Sequence, residues 1–322
     1  MAVYTEVGFE QAEALVRRLG HQRLIGLQGI GAGIENTNYF VSTDRGEWVL
    51  TLFERLSAEQ LPFYLRYMQH LARHGIPVPE PQADADGQIL HRLCGRPAAL
   101  VNRLPGRHVL EPELPHLRQM GDMLARLHLA GRDVSLRQPH PRGLAWWIGT
   151  VPEVLPFLEE PRSDLLREEL DFQRGVAASA AAAALPQGVI HADLFRDNVV
   201  FESVQGEDRL SGLFDFFFAG VDSYLFDLAV CLNDWCIDQS SGRLREDQAT
   251  AFCDAYQHVR PLASSELRLM PALRRAAAFR FWLSRLWDLH LPRDAALLQA
   301  KDPRHFERVL RECIERPWHP LH

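Results

Sequence analysis

Thirteen residues near the middle of the chain, 189–201, constrain its fold more than any other stretch. Val189-Ile190 and Val199-Val200-Phe201 are short apolar runs. Between them lies a polar loop, His191-Ala192-Asp193-Leu194-Phe195-Arg196-Asp197-Asn198. β-Branched residues suit an enclosed, pleated surface, so the spacing predicts two buried strands holding a loop that carries His191, Asp193 and Asn198. Seventeen residues after Asn198, the run Gly212-Leu213-Phe214 delivers a single carboxylate, Asp215, ahead of Phe216-Phe217-Phe218. Taken singly, Asp193 and Asn198 are good turn formers, and Asp215 can simply end a strand.

Taken together, they follow the His-x-Asp-x-x-x-x-Asn spacing of a kinase catalytic loop, with a later Asp. Transfer of a γ-phosphoryl group asks mainly for positioning and charge neutralisation. In that chemistry Asp193 orients the acceptor hydroxyl and takes its proton. Asn198 and Asp215 offer oxygen ligands to Mg²⁺, a hard ion that keeps several waters.

Composition narrows the field. The chain has 322 residues, 47% hydrophobic and 24% charged, ordinary values for a soluble globular protein of one large or two smaller domains. A net charge of −7, with Arg interspersed among acids, gives no sign of a nucleic-acid partner. No apolar signal core opens the chain, and no run of about 18 apolar residues predicts a membrane span. Cys94, Cys231, Cys236, Cys253 and Cys313 form no Cys-x-x-Cys pair and read as reduced thiols of a cytoplasmic protein. His319 and His322 read as tail residues. Lys301 is the only lysine, so a cation gripping phosphate in the first half must be Arg, a metal or backbone N–H groups.

Read in order, residues 8–19 have helical spacing and Leu24 to Leu27 read as a strand. Gln28-Gly29-Ile30-Gly31-Ala32-Gly33 then leads into the strand Tyr39 to Ser42. Alternating glycines before a strand suit a loop that lays N–H groups against phosphates, and equally a plain hairpin turn. No Gly-Lys-Ser/Thr follows, so this is not a Walker A loop. Glu47 to Phe53 is a strand, Leu61 to Arg73 a helix, and Ile89-Leu90 and Ala98 to Val101 are further strands, which together predict an antiparallel sheet with one long helix across it. At Leu104-Pro105-Gly106 the texture turns from β to α, predicting lobes 1–103 and 104–322. Helices are predicted over 114–130 (with His128 packed on it), 164–184 and 246–259. Others begin at Trp146-Trp147 and at Phe226-Asp227. The longest opens at Ser264 and breaks near Pro271, and Lys301-Asp302-Pro303 starts the last.

The catalytic loop with Asp215 resembles that of the aminoglycoside phosphotransferase and choline kinase superfamily, relatives of the protein kinases. Several segments resemble, more narrowly, the homoserine kinases of that superfamily: Gly33 to Val41, Trp48 to Glu54, Arg142-Gly143-Leu144-Ala145-Trp146-Trp147, and Arg280 to Leu286. The resemblance covers essentially the whole chain. It implies an α+β, protein-kinase-like bilobal fold and ATP- and Mg²⁺-dependent phosphorylation of the L-homoserine hydroxyl, a step towards threonine. By it Asp193 is the base, Asn198 and Asp215 are metal ligands, and His191 and Asp227 brace the loop. Gly29, Gly31 and Gly33 lie over the phosphates, and the backbone of Val101, Asn102 and Arg103 meets adenine.

Two departures stand out. Thr51 occupies the strand position where the superfamily carries a basic residue, with Arg55 the candidate substitute. Phe217 replaces the glycine that follows Asp-Phe in protein kinases. A homoserine site needs an Arg fork for the carboxylate, for which Arg280 and Arg285 are candidates, and an acid for the ammonium, for which Asp234 and Asp288 are. Trp146, Trp147 and Trp282 could wall it, and each also reads as core. Polycationic aminoglycosides would favour a more acidic cleft. The competing readings are a related kinase of choline, methylthioribose or an aminoglycoside, and a silent nucleotide-binding regulatory module.

Overall fold

The computed structural model describes residues 4–31, 36–291 and 301–320. The chain divides into two compact units, 1–105 with 211–214, and 106–210 with 215–322. The first unit holds α1 (Phe9–Arg18), β1 (Leu24–Gly29), β2 (Asn36–Thr43), β3 (Gly46–Phe53), α2 (Leu61–Arg73), β4 (His91–Leu93) and β5 (Arg96–Asn102). Its strands form an antiparallel sheet in the order β1-β2-β3-β5-β4. Inward residues alternate along β2, where Thr37, Tyr39, Val41 and Thr43 are buried, the period-two pattern of a sheet with one covered face. Ala12, Leu15 and Val16 of α1 join Val41, Leu50 and Leu100 in the core of this unit.

The second unit contains α3 (Leu114–Ala130), α4 (Leu144–Val154), α5 (Arg162–Ala177), α6 (Ala180–Ala183), β6 (Gln187–Ile190), β7 (Val199–Val204), the start of β8 (Glu207–Leu213), β9 (Gly220–Ser223), α7 (Tyr224–Trp235), α8 (Glu246–Val259), α9 (Ser264–His290) and α10 (Arg304–Glu315). β6 pairs antiparallel with β9, and β7 with β8. α9 runs against α4, α7 and α10, while α3 lies along α8. The α3–α8 approach is close because position 121 is glycine: a Cβ there would sit 2.2 Å from the Phe252 carbonyl oxygen.

The α+β, kinase-like architecture agrees with the sequence, and the expected helices at 114–130 and 246–259 are observed with those bounds. Three local expectations fail. Ile89-Leu90 is not a strand; the strand begins at His91. The 164–184 helix is two, because Ser179 caps a new start by accepting from the Ala182 N–H at 3.1 Å. The break expected at Pro271 is absent, and α9 continues through it. A proline withholds its N–H from the carbonyl four residues back. That carbonyl, Leu267 O, is instead 3.3 Å from His319 Nδ1, a place for a residue read from sequence as tail.

Candidate active site

β6 ends at Ile190 and leads into the loop through Ala192, whose φ of 64° is a left-handed conformation that L residues rarely adopt. Asp227 holds that backbone in place. It stands in the first turn of α7, fully buried, and accepts from the His191 N–H at 2.8 Å and from the Ala192 N–H at 2.8 Å. A buried carboxylate with charge-assisted hydrogen bonds from two successive amides is a strong clamp. Burial works to raise its pKa, but interactions with His128 and His191 outweigh that, and the carboxyl lies below its ordinary value.

Downstream, Asp193 is braced from several sides. Its own N–H points to His191 Nδ1 at 3.2 Å, which places an acceptor nitrogen there. The Asn198 side chain, carried by a 3₁₀ turn at Arg196–Asn198, donates to the Asp193 carbonyl at 2.8 Å and approaches Oδ2 at 3.4 Å. Arg280, nominated from sequence for a substrate carboxylate, lies on α9 with its NH1 3.4 Å from Asp193 Oδ1. Its guanidinium also lies over the rings of Phe281, at 3.7 Å, and Phe218, at 4.9 Å. Asp215 adopts φ 65°, a left-handed turn that Asp tolerates better than most residues. The Phe216 ring that follows is buried 4.4 Å from the His191 ring, so Asp215 is held next to the loop by its neighbour in the chain.

A second brace was not legible in the sequence. His128 of α3 is fully buried, with Nε2 3.1 Å from Asp227 Oδ2 and Nδ1 2.7 Å from the Tyr256 hydroxyl. Arg260 donates to that hydroxyl at 2.9 Å and pairs with Glu266 through two contacts, at 3.0 and 3.2 Å. Burial lowers the His128 pKa, so the ring is neutral and donates from Nε2 while accepting at Nδ1. The polar chain therefore donates in one sense from Arg260 to Tyr256 to His128 to Asp227, where it meets the loop amides donating from the other side. His128 and Tyr256, bonded neighbours in it, lie 128 residues apart, which no local pattern reveals.

Other nominated residues separate into distinct surroundings. Trp147 is core: its Nε1 donates to the Arg142 carbonyl at 2.6 Å and its ring meets Phe279 edge-on. Trp146 and Trp287 hold the Arg142 guanidinium between them at 4.2 and 4.9 Å. Asp234 is closed on Arg196, accepting from its N–H and Nε at 2.9 Å each. Arg285 lines a cavity of about 260 Å³ with Asp234 and the turn after Asp193. Asp288 is exposed. In the other unit, Gly29 ends β1, Ile30 N–H bonds to Asn38 O at 2.8 Å, and a Cβ at Gly31 would meet nothing within 4 Å. Gly33 lies outside the described residues. Val101 and Asn102 finish β5. The Arg103 N–H bonds to Glu47 O, while its guanidinium lies 4.1 Å over Phe40. Thr51, where a cation is usual, donates to Asn38 Oδ1 at 2.7 Å.

Four histidines give a pH prediction. His21, His91, His128 and His305 all have lowered pKa values with burial as the largest cause; His305, with the Arg285 charge also acting on it, falls to about 4. Each holds a proton less readily in the folded protein than in the unfolded chain, where it protonates near 6.5. Stability therefore declines as pH falls from about 6.5 towards 4, and unfolding in that window takes up protons. Urea midpoints measured across this range should drop steadily; a flat profile would contradict the neutral, buried histidines.

Comparison with known proteins gives a consistent result. The phosphotransferase enzyme family matches residues 26–262. A homoserine kinase of Polaromonas naphthalenivorans is 60% identical over 318 residues, covering 99% of each chain. One of Paraburkholderia xenovorans is 51% identical, covering 98% of this chain and 96% of its own. Among solved structures, an amicoumacin kinase in complex with AMP-PNP, Ca²⁺ and Ami superposes with a TM-score of 0.69 at 17% identity, over 94% of this chain and 93% of that one. A choline kinase of Cryptosporidium parvum gives 0.64 at 12% identity, over 96% of both. Among the described residues, no helix is long and apolar enough to cross a membrane.

Proposed function

We propose, from the premise that this chain belongs to the phosphotransferase enzyme family and, within it, to the homoserine kinases, that Asp193 is the base of its reaction. The reaction is the phosphorylation of homoserine on its side-chain hydroxyl, on the route to threonine. Asp193 accepts the hydroxyl proton as the oxygen attacks the γ-phosphorus of ATP. Asn198 fixes the carboxylate's orientation from one side. Arg280 faces it from another and keeps a positive charge beside the reacting atoms. Asp227, through the His191 and Ala192 amides, holds the loop so that none of these distances has to be found anew in each turnover.

Two residues suit a magnesium ion by their donor chemistry. Asn198 gives its amide N–H groups to Asp193, which turns its carbonyl oxygen elsewhere, and Asp215 brings a carboxylate. Both are hard oxygen donors. Magnesium bound there would neutralise phosphate charge. In the N-terminal unit, the loop after Gly29, with Gly31 and Gly33, is the proposed source of N–H groups for the phosphates. Backbone groups of Val101, Asn102 and Arg103 not used within the sheet are proposed for adenine.

The observation that carries this reading is the Asp193–Asn198 pair on a loop clamped by a buried Asp227, in a chain 60% identical to a homoserine kinase. It is tested by ADP release with Mg²⁺-ATP and L-homoserine, choline, methylthioribose or kanamycin in turn. Turnover with homoserine alone is expected. Turnover with a different acceptor alone would overturn the substrate and leave the loop chemistry standing.

A further inference from the structure

The cavity of about 260 Å³ in the second unit is lined by Phe195, Arg196 and Asp197, two to four residues beyond Asp193 at the start of the 3₁₀ turn that follows it. Its charges are unevenly satisfied. Arg196 and Asp234 are spent on each other through three contacts. Lys301 and Asp197 are more than half exposed and meet at 3.5 Å, a loose pair. Arg285 differs from both. Its guanidinium lies 4.5 Å over the Phe306 ring and donates from NH1 to the Asp302 carbonyl at 3.0 Å. Among the described residues no carboxylate forms an ion pair with it, although the charges of Asp234, Asp302, Asp193 and Asp197 all act on it. Burial lowers its pKa to about 10, which leaves it charged at neutral pH. His305, also in the wall, is neutral at that pH.

A planar fork fixed on an aromatic ring, with donors left over and no carboxylate of its own, is built to take a carboxylate. Arg280, the other arginine of α9 nominated from sequence, does not line this cavity, and its NH1 lies 3.4 Å from Asp193 Oδ1. We propose that Arg285 binds the α-carboxylate of the acceptor amino acid in this cavity, beside the turn that carries the base. The proposal rests on the homoserine kinase reading and adds to it the residue that recognises the acceptor as an amino acid.

The test pairs Arg285→Gln with two truncated acceptors, 3-aminopropan-1-ol, which lacks the carboxylate, and 4-hydroxybutyrate, which lacks the ammonium. In the unaltered enzyme, kcat/KM should be far higher for homoserine than for 3-aminopropan-1-ol. In Arg285→Gln the KM for homoserine should rise roughly 10–100-fold, the size expected for losing a hydrogen-bonded charge partner. The KM for ATP and the turnover of 3-aminopropan-1-ol should stay put. Turnover of 4-hydroxybutyrate should fall with that of homoserine. Arg285→Lys, which keeps the charge without the fork, should lie between. Equal losses with homoserine and 3-aminopropan-1-ol, or a shift in the KM for ATP instead, would overturn the proposal. Calorimetric binding of homoserine to both proteins separates the two levels of inference. Absent turnover by the unaltered enzyme sinks the homoserine reading, whereas binding that survives Arg285→Gln sinks the carboxylate site.

Discussion

Asp193→Asn should lower kcat with homoserine by roughly 10²–10⁴-fold, the span usual for a positioned general base, while nucleotide affinity stays close to that of the unaltered enzyme. The substitution is nearly isosteric, but Asn198 faces Oδ2 and Arg280 faces Oδ1, so only one of the two donors keeps a partner oxygen. What disappears is the basic site proposed to take the hydroxyl proton. The effect should fall on kcat more than on KM for ATP, because the lost interaction matters only as the proton moves. Steady-state kinetics with calorimetric ATP titration reads both quantities. Turnover within a few-fold of the unaltered enzyme would remove Asp193 from the role of base, whatever its geometry.

Asp227→Ala should be the most damaging single change to the fold of the second unit. The carboxylate is fully buried and receives the His191 and Ala192 amides and the His128 ring. Deleting it strands three donors where water does not reach. Breaking a buried, hydrogen-bonded pair costs about 3–5 kcal/mol. Asp227→Asn should also be harmful, since an amide nitrogen would have to face one of the same N–H groups. The lowered pKa sets the pH sense: its contribution is present above the ordinary carboxylate value of 3.8 and is lost as pH falls through the lower folded value. Urea unfolding of Asp227→Ala, read beside its kcat, separates loss of fold from loss of loop geometry. Stability within about 1 kcal/mol of the unaltered protein would mean that the clamp is dispensable.

What is legible in the sequence is what local spacing ties together. Asp193 and Asn198 stand five apart in one loop, and that loop with Asp215 stands out by its spacing alone. Asp227 was legible as an acid at a helix start, though not that its two oxygens would take successive loop amides. The His128–Tyr256–Arg260 chain was invisible because it is made by α3 lying along α8, and tertiary packing leaves no periodicity at the residues it joins. Arg280 and Arg285 looked equivalent on one helix; only their surroundings distinguish a partner of Asp193 from a wall of the cavity. Pro271 did not stop α9, and the Leu267 carbonyl that it leaves without an N–H lies near His319, 52 residues away.

The chain's path has a consequence for how the protein is made. Ser211–Phe214 belong to the first unit, where the Leu213 N–H bonds to the Pro77 carbonyl at 2.8 Å and Ser211 Oγ donates to the Pro105 carbonyl at 2.6 Å. A ribosome supplies Met1 to Pro105 first, then more than a hundred residues of the second unit, and only then this four-residue piece. Domains commonly mature from the N-terminus as they emerge. Here the first unit stays unfinished until Phe214 is outside the tunnel, and its last piece arrives directly attached to Asp215. Completing the amino-terminal unit and delivering that carboxylate are thus one event in the life of the nascent chain.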